Sequence, residues 1–216
     1  MTYELVALGG TCYVTTTDQK TVLKGHQHCA GVHSLHLALA PRGCVRKYIS
    51  KRPDKPLPLC TRLQMALDVA TGVAYIHSKG VQYCDMSCRN LFLFEGFRVK
   101  LGDFGASLLE GQDFKPTFYE EAQYELPLRG RTFDDRPPIT SWQRPFQGLE
   151  DREVEARYAR EEFPSLASNV AGPIIQKCWN EEYQSAREVV EALTQCVNSM
   201  DPEELNNGNY QSQSTV

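Results

Sequence analysis

Long hydrophobic runs are missing from this chain of 216 residues. No stretch reaches the about 18 consecutive apolar residues that a membrane-spanning helix needs, and the start, MTYELVALGGTCYV, lacks the basic and apolar regions of a secretory signal. Basic charge is not in excess either, since the net charge is -4, so neither nucleic acid nor an anionic membrane is expected as a partner. We expect a cytoplasmic protein. The composition identifies neither its partners nor its oligomeric state.

The cysteines lack the regular spacing of a disulfide framework. All eight are scattered along the chain, so in a reducing compartment they are expected to be free thiols. One polar segment contains His26, His28, Cys29 and His33, but the spacing matches no standard zinc pattern. Zinc binding there is therefore a minor alternative.

Changes in hydrophobic periodicity divide the chain into elements. The first 24 residues predict three short antiparallel strands, and LHLALA predicts another strand. Residues 59–77 repeat apolar side chains at the helical period, while 91–94 and 99–103 predict a β-hairpin. The order of elements indicates a small sheet followed by a mainly helical region.

The second half of the chain has weaker patterns. Residues 105–145 show little periodicity and are predicted to be a loop of unusual length. Two helical patterns follow in residues 149–163 and 173–197, the second broken near Glu181, and the polar tail from Asn198 is predicted to be disordered.

Three polar residues suggest a chemistry. Asp85 and Asn90 stand five residues apart in a predicted loop after the long helix, and Asp103 ends the predicted hairpin. Folding of the hairpin is expected to bring the three together. Such a set suits phosphoryl transfer, which needs a base near the acceptor hydroxyl and hard oxygen ligands for Mg²⁺.

Two motifs carry a resemblance to a known family. YCDMSCRN resembles the catalytic loop of eukaryotic-type protein kinases, usually His-Arg-Asp with Asn five residues later, and LGDFGAS resembles their Asp-Phe-Gly segment. The stretch from PFQGLEDREV to IIQKCW looks like the late helices of a kinase large lobe. The resemblance covers roughly residues 3–197, and the sequence as a whole is similar to small fungal protein-kinase-like proteins.

The resemblance implies roles for residues of the loop. Asp85 would orient or deprotonate the acceptor hydroxyl, while Asn90 and Asp103 would bind Mg²⁺ on ATP. Arg89 stands where some tyrosine kinases carry an arginine, and Ser87 stands where Ser/Thr kinases have a lysine. The acceptor, Ser/Thr or Tyr, is therefore left open.

The resemblance also implies nucleotide contacts nearer the start of the chain. Lys24 matches the lysine that pairs with the nucleotide phosphates, and the segment with Leu39 and Ala40 matches the hinge that contacts adenine. A kinase places a helix with a glutamate and a further strand between these two features. The chain has only a short segment there, and residues 21–48 contain no acidic residue.

The sequence departs from the kinase pattern at two further places. Aligned on Val14, the glycine loop keeps Gly9, but Ala7 and Cys12 occupy the other two glycine positions. After YELP, which stands where the activation segment normally ends, no long apolar helix follows. The core is therefore expected to lack a central piece.

These observations predict an α+β, protein-kinase-like fold with two lobes. Residues 1–37 would form a reduced β lobe and residues 38–197 a mostly α-helical lobe, with residues 198–216 as a tail. The function implied is an ATP- and Mg²⁺-dependent kinase acting on a protein that the sequence does not identify. The alternative is a pseudokinase or kinase remnant that serves as a nucleotide- or protein-binding module.

Overall fold

The computed structural model describes residues 4–8, 12–16, 18, 20–26, 34–111, 139–142, 146 and 148–200. The chain separates into two compact units, a sheet unit within residues 1–43 and a helical unit within residues 44–216. No helix in the described ranges combines the length and the apolar character needed to cross a bilayer.

The sheet unit is built from four antiparallel strands. In sequence and in space they follow the order β1 (Glu4–Leu8), β2 (Cys12–Thr16), β3 (Thr21–His26) and β4 (Ser34–Ala38). Val, Thr and Tyr, which favour the pleated backbone, are frequent in β2 and β3. The predicted strands are thus confirmed.

Few side chains of the sheet unit are buried. Among those that the structure describes, only Val22 is buried, whereas all five residues of β4 are exposed. Leu35 and Leu37 remain 62% and 44% exposed. β4 is one of the two edge strands of this sheet.

In its described part, the helical unit contains two helices, then four short strands, then three further helices. Its described elements are α1 (Val45–Ser50), α2 (Leu59–His77), β5 (Val81–Gln82), β6 (Leu91–Leu93), β7 (Val99–Leu101), β8 (Leu108–Leu109), α3 (Asp151–Ala159), α4 (Gly172–Trp179) and α5 (Ala186–Asn198). Short 3₁₀ turns occupy Glu95–Phe97 and Phe104–Ala106. β6 pairs with β7 and β5 with β8, both antiparallel. The predicted long helix, the hairpin and the break near Glu181 are confirmed.

Helix α2 is the centre of the helical unit because it is buried on two sides. Met65, Val69 and Val73 pack into the main core together with β6 and β7. Leu63 packs on another side in a second cluster that includes Leu193 of α5. Apolar residues at the helical period therefore place α2 between the hairpin and the last helix.

The expectation that the core lacks a central piece stays a prediction, but a four-residue segment near that place belongs to the main core. No helix lies in the described part of residues 139–150, yet Ile139 and Trp142 are both buried in the main core. The Trp142 ring meets Tyr48 edge to face at 6.1 Å, and its Nε1 donates to the carbonyl oxygen of Arg52 at 2.9 Å. The residue 139–142 segment is thus packed into the main core.

The same segment is fixed by a buried cation. Arg62 of α2 is buried, and its guanidinium donates to the backbone carbonyls of Leu57, at 3.0 Å, and Thr140. Asn169 donates to the hydroxyl of Thr140 at 2.9 Å. Burial lowers the pKa of Arg62. These bonds hold the residue 139–142 segment against α2.

Candidate functional site

The loop between β5 and β6 is held by buried side chains on both sides of its acidic residue. Tyr83, Cys84, Met86, Ser87 and Cys88 are almost completely buried, while Asp85 is half-buried and Arg89 is exposed. The cysteines thus act as small buried residues. The amide of Arg46 in α1 donates to the Cys88 carbonyl at 3.0 Å, which attaches the loop to the first helix.

Asp85 and Asn90 are joined by two hydrogen bonds. The Asn90 Nδ2 donates to Asp85 Oδ2 at 2.9 Å and to the Asp85 backbone oxygen at 2.8 Å. Asn90 is buried, so its amide orientation is fixed by these contacts. With Nδ2 directed at Asp85, the Oδ1 is the other arm of the planar amide and can serve as a ligand for a hard cation.

The β6–β7 hairpin carries Asp103 back to this loop. The Gly102 amide donates to the Asn90 carbonyl at 2.9 Å, which extends the hairpin ladder by one pair. Asp103, the next residue, is thereby brought close to the end of the loop. Asp103 is exposed and adopts the left-handed conformation, with φ 57° and ψ 70°. This backbone is uncommon for a residue other than glycine and turns the chain sharply after β7.

Gly102 and Tyr83 determine how the hairpin meets the loop. A Cβ at Gly102 would lie 2.6 Å from Cε2 of Phe92, a distance that no side chain tolerates. The buried Tyr83 donates its hydroxyl proton to the Gly102 carbonyl oxygen and packs edge to face on Phe104 at 5.1 Å. Tyr83 therefore contacts both neighbours of Asp103.

Helix α2 contributes a residue that the sequence analysis missed. The Asp68 carboxylate, whose side chain is only 5% exposed, accepts from Arg98 Nε and Nη2 at 2.8 Å each and from the Val99 amide at 2.9 Å. These hydrogen bonds raise the pKa of Arg98. The only sequence signal was an acidic residue directly beside the apolar stripe of α2, between Leu67 and Val69.

The nucleotide residues predicted in the sheet unit are brought together in part. Val14 of β2 and Lys24 of β3 are directly opposite each other in the antiparallel register, so both side chains lie on the same face of the sheet. Leu39 and Ala40 follow β4, where the Leu39 amide donates to the Lys20 carbonyl at 2.7 Å. Gly9 lies outside the described residues, as do His28, Cys29 and His33 of the zinc alternative.

The described residues fit a magnesium-nucleotide site of limited protein coordination. Within the described ranges no group of three His, Cys, Asp or Glu side chains could hold a metal. Mg²⁺ in phosphoryl-transfer sites is bound by only one or two protein carboxylates or amides, and phosphate oxygens supply further ligands. The amide oxygen of Asn90 and the exposed carboxylate of Asp103 are oxygen donors of that kind.

Sequence comparison identifies the relatives of this arrangement. The profile of the protein tyrosine and serine/threonine kinase family matches residues 4–129. These residues include the candidate site, and the match ends close to the place where the sequence analysis found the long helix missing. The similarity to small fungal proteins stays a prediction.

Individual plant kinases are similar to larger or smaller parts of the chain. Serine/threonine/tyrosine-protein kinase HT1 of Arabidopsis thaliana is 29% identical over 185 residues, which cover 72% of this chain and 46% of that protein. Mitogen-activated protein kinase kinase kinase 20 of the same plant is 33% identical over 42% of the chain and 25% of its own length. In Gossypium barbadense, EPD1-interacting receptor-like cytoplasmic serine/threonine-protein kinase 5D is 39% identical over 30% of the chain and 15% of its own length.

The chain spans less than half the length of each of these relatives. The alignment with HT1 has 185 positions, which is more than the number of residues in the 72% of this chain that it covers. HT1 therefore has residues within the match that the chain lacks. The alignment is therefore consistent with internal segments missing from the kinase pattern.

Proposed function

Because this chain belongs to the protein tyrosine and serine/threonine kinase family, we propose that it transfers a phosphoryl group from ATP to a hydroxyl of a protein. The observation that carries the proposal is the double hydrogen bond between Asn90 and Asp85, closed onto the residue before Asp103 by the Gly102 amide. Two separate parts of the sequence, the loop before β6 and the residues after β7, contribute the groups that the chemistry requires.

In this proposal Asp85 receives or orients the proton of the acceptor hydroxyl. Its carboxylate is half-buried, and the Asn90 amide holds one of its oxygens, so its position is fixed before any substrate binds. Arg89 is exposed beside it and would contact the acceptor segment. Whether that segment presents serine, threonine or tyrosine is left to the experiment.

Asn90 and Asp103 would hold magnesium on the triphosphate. When bound, the metal neutralises the charge on the phosphate oxygens during transfer. The backbone bond from Gly102 to Asn90 keeps the two ligands at the same end of the hairpin. In the sheet unit, Lys24 and Val14 would contact the nucleotide together with Gly9, and the backbone of Leu39 and Ala40 would contact the adenine.

A second candidate is a binding module that takes up nucleotide without efficient transfer. Two observations favour it: residues 21–48 contain no glutamate or aspartate to fix Lys24 locally, and β4 is exposed throughout. A kinase aligns the phosphates for transfer with the help of that glutamate, so its absence from this part of the sequence favours binding over transfer.

Thermal unfolding and phosphotransfer together separate the two candidates. The purified chain is heated with ATP, with Mg²⁺ and with both, since a ligand that binds only the folded state raises the melting temperature. Transfer of labelled phosphate to a generic protein acceptor is then measured for the wild type, Asp85→Asn and Asp54→Asn. Asp54 is an exposed aspartate in the turn after α1 and serves as the matched control.

We expect a stabilisation by ATP that needs Mg²⁺, and a transfer activity that Asp85→Asn lowers by about 10²- to 10⁴-fold while Asp54→Asn leaves it unchanged. Stabilisation without Asp85-dependent transfer would replace the kinase with the binding module. If Mg²⁺ and ATP produce no stabilisation and no transfer, both candidates are wrong.

A further inference from the structure

The hydrogen-bond pattern of the β6–β7 hairpin directs the Val99 amide away from its partner strand. The Phe94 amide donates to the Arg98 carbonyl at 2.9 Å, and the Gly102 amide donates to the Asn90 carbonyl at 2.9 Å. Bonded residues alternate along an antiparallel strand, so the amide of Val99, one residue after Arg98, faces the opposite edge of β7. That edge faces α2, where Asp68 accepts this amide at 2.9 Å.

A second contact fixes the same strand on the same helix face. Gly72 lies four residues after Asp68 in α2, and a Cβ there would come within 3.1 Å of Leu101, two residues after Val99. One helical turn advances about 5.4 Å and two strand residues about 6.6 Å, so the two contacts match in spacing. Asp68 and Gly72 thus set the position of β7 along α2.

This position determines where both candidate metal ligands lie. Asn90 directly precedes β6, and Asp103 is the second residue after β7, so the two stand at the open end of the hairpin. No covalent link fixes that end to α2. A displacement of β7 along the helix would carry Asp103 with it, and the Asn90–Gly102 bond would transmit the displacement to the loop.

We propose that Asp68 is a positioning residue for the magnesium ligands and acts through its hydrogen bond to the Val99 amide. This inference rests on the proposed function for the identity of the ligand. The ion pair with Arg98 is secondary, because that side chain is 62% exposed and exposed ion pairs contribute little. The essential contact is the one in which the buried Asp68 carboxylate accepts the Val99 amide, because that amide faces away from β6 and needs another acceptor.

Three substitutions separate the amide bond from the ion pair. Asp68→Ala removes both contacts and also the bond that Gln64 Nε2 donates to Asp68 Oδ1 at 3.0 Å, whereas Arg98→Ala removes only the ion pair. Asp68→Asn loses the charge but keeps a carbonyl oxygen that can accept the Val99 amide. Glu191→Ala, which breaks an exposed pair between Arg187 and Glu191 on α5, is the matched control.

Two measurements are made on the full chain. The dissociation constant of ATP is determined with and without Mg²⁺, so that loss of metal coordination is distinguished from loss of nucleotide contacts. Amide hydrogen exchange of residues 99–102 and of α2 is followed without nucleotide. A residue with a general structural role would change exchange in both regions and would not alter the magnesium dependence.

We expect Asp68→Ala to weaken ATP binding about 10- to 100-fold with Mg²⁺ present and to leave it nearly unchanged without Mg²⁺. Exchange at Val99 should accelerate about fivefold or more. Asp68→Asn, Arg98→Ala and Glu191→Ala should stay within about fivefold of the wild-type affinity. An unchanged magnesium dependence in Asp68→Ala would overturn the inference.

The remaining outcomes are also decisive. If Asp68→Ala does not fold, the other two variants decide. A tenfold loss of ATP affinity in both Asp68→Asn and Arg98→Ala would assign the positioning to the ion pair and reject the amide bond. Near wild-type affinity in both would support the amide bond. If the wild type shows no magnesium-dependent binding, the proposed function fails. Hydrogen exchange at residues 99–102 then tests the placement of the hairpin independently. Exchange at the wild-type rate in Asp68→Ala would reject the role of the amide acceptor. Exchange at the wild-type rate in Asp68→Asn would support it.

Discussion

The helical unit and the sheet unit hold their candidate functional residues by different means. In the helical unit, Asp85 and Asn90 lie in a loop whose neighbours on both sides are buried in a core that includes Trp142 and Met65. In the sheet unit, Val14 and Lys24 are placed by strand register, and Val22 is the only buried residue among the described side chains.

This contrast separates what fixes a backbone from what fixes a side chain. Strand pairing determines the face of the sheet on which Lys24 lies. In the loop, hydrogen bonds and packing fix the Asn90 side chain as well. We therefore expect function to depend more strongly on the helical unit, and the following predictions test this expectation.

The largest expected effect is on phosphoryl transfer. Asp103→Asn should lower magnesium-dependent transfer by about 100-fold or more, because a metal ligand supports several kcal/mol of transition-state stabilisation. Lys24→Ala should lower it by less than about tenfold, since no nearby acidic residue in the sequence aligns the lysine. Initial rates at saturating ATP measure both, and an equal loss for the two variants would remove the contrast.

Trp142→Ala should destabilise the protein by about 3–5 kcal/mol, because it leaves a cavity beside Tyr48 and removes the bond to Arg52. Leu37→Ala in the exposed edge strand should change the free energy of unfolding by no more than about 0.5 kcal/mol. Urea denaturation of the two variants measures both values. A cost for Leu37→Ala close to that of Trp142→Ala would mean that the sheet unit is packed as tightly as the helical unit.

Tyr83→Phe should cost about 1–3 kcal/mol of unfolding free energy, because the half-buried carbonyl of Gly102 loses its donor while the packing on Phe104 is retained. Urea denaturation measures the cost, and near-ultraviolet circular dichroism verifies that the aromatic packing is intact. Wild-type stability would show that the hydroxyl does not hold the residue before Asp103.

The smallest expected effect is a pH dependence. Burial lowers the pKa of His77 at the end of α2, so the unfolded chain, with the ordinary value of about 6.5, takes up the proton first as the pH falls. The free energy of unfolding should therefore decrease as the pH falls below about 6.5, and it should be fully retained above that value.

His77→Gln should flatten this dependence between about pH 7 and pH 5.5, above the range where carboxylates titrate. Urea denaturation across that range measures the slope. An unchanged slope in the variant would assign the pH dependence to other groups.

Local patterns in the sequence predicted much of the helical unit. The period of the apolar residues identified α2, and two short apolar runs identified the β6–β7 hairpin, because burial of one face repeats at the period of each element. The loop motif located Asp85 and Asn90 because only five residues separate them. Contacts within one loop are set largely by that spacing.

Contacts between distant parts of the chain were not predicted. The acceptor on Asp68 lies 31 residues from the Val99 amide, and the Trp142 side chain lies 90 residues from the Arg52 carbonyl. Nothing in the local pattern distinguishes Asp68 from a solvated acid on a helix surface. The loop predicted for residues 105–145 likewise hid the two buried residues, Ile139 and Trp142, at its end.

The sequence by itself determined the family, the order of the elements and the residues that a phosphoryl-transfer site would need, because periodicity and motif spacing are local properties of the chain. The tertiary structure alone decided how α2 fixes the hairpin, how Tyr83 and Gly102 hold the backbone before Asp103, and that Ile139 and Trp142 join the main core. Those features depend on which side chains meet after folding. Residues that pack against each other can be separated by any number of positions in the sequence, so no local pattern predicts them.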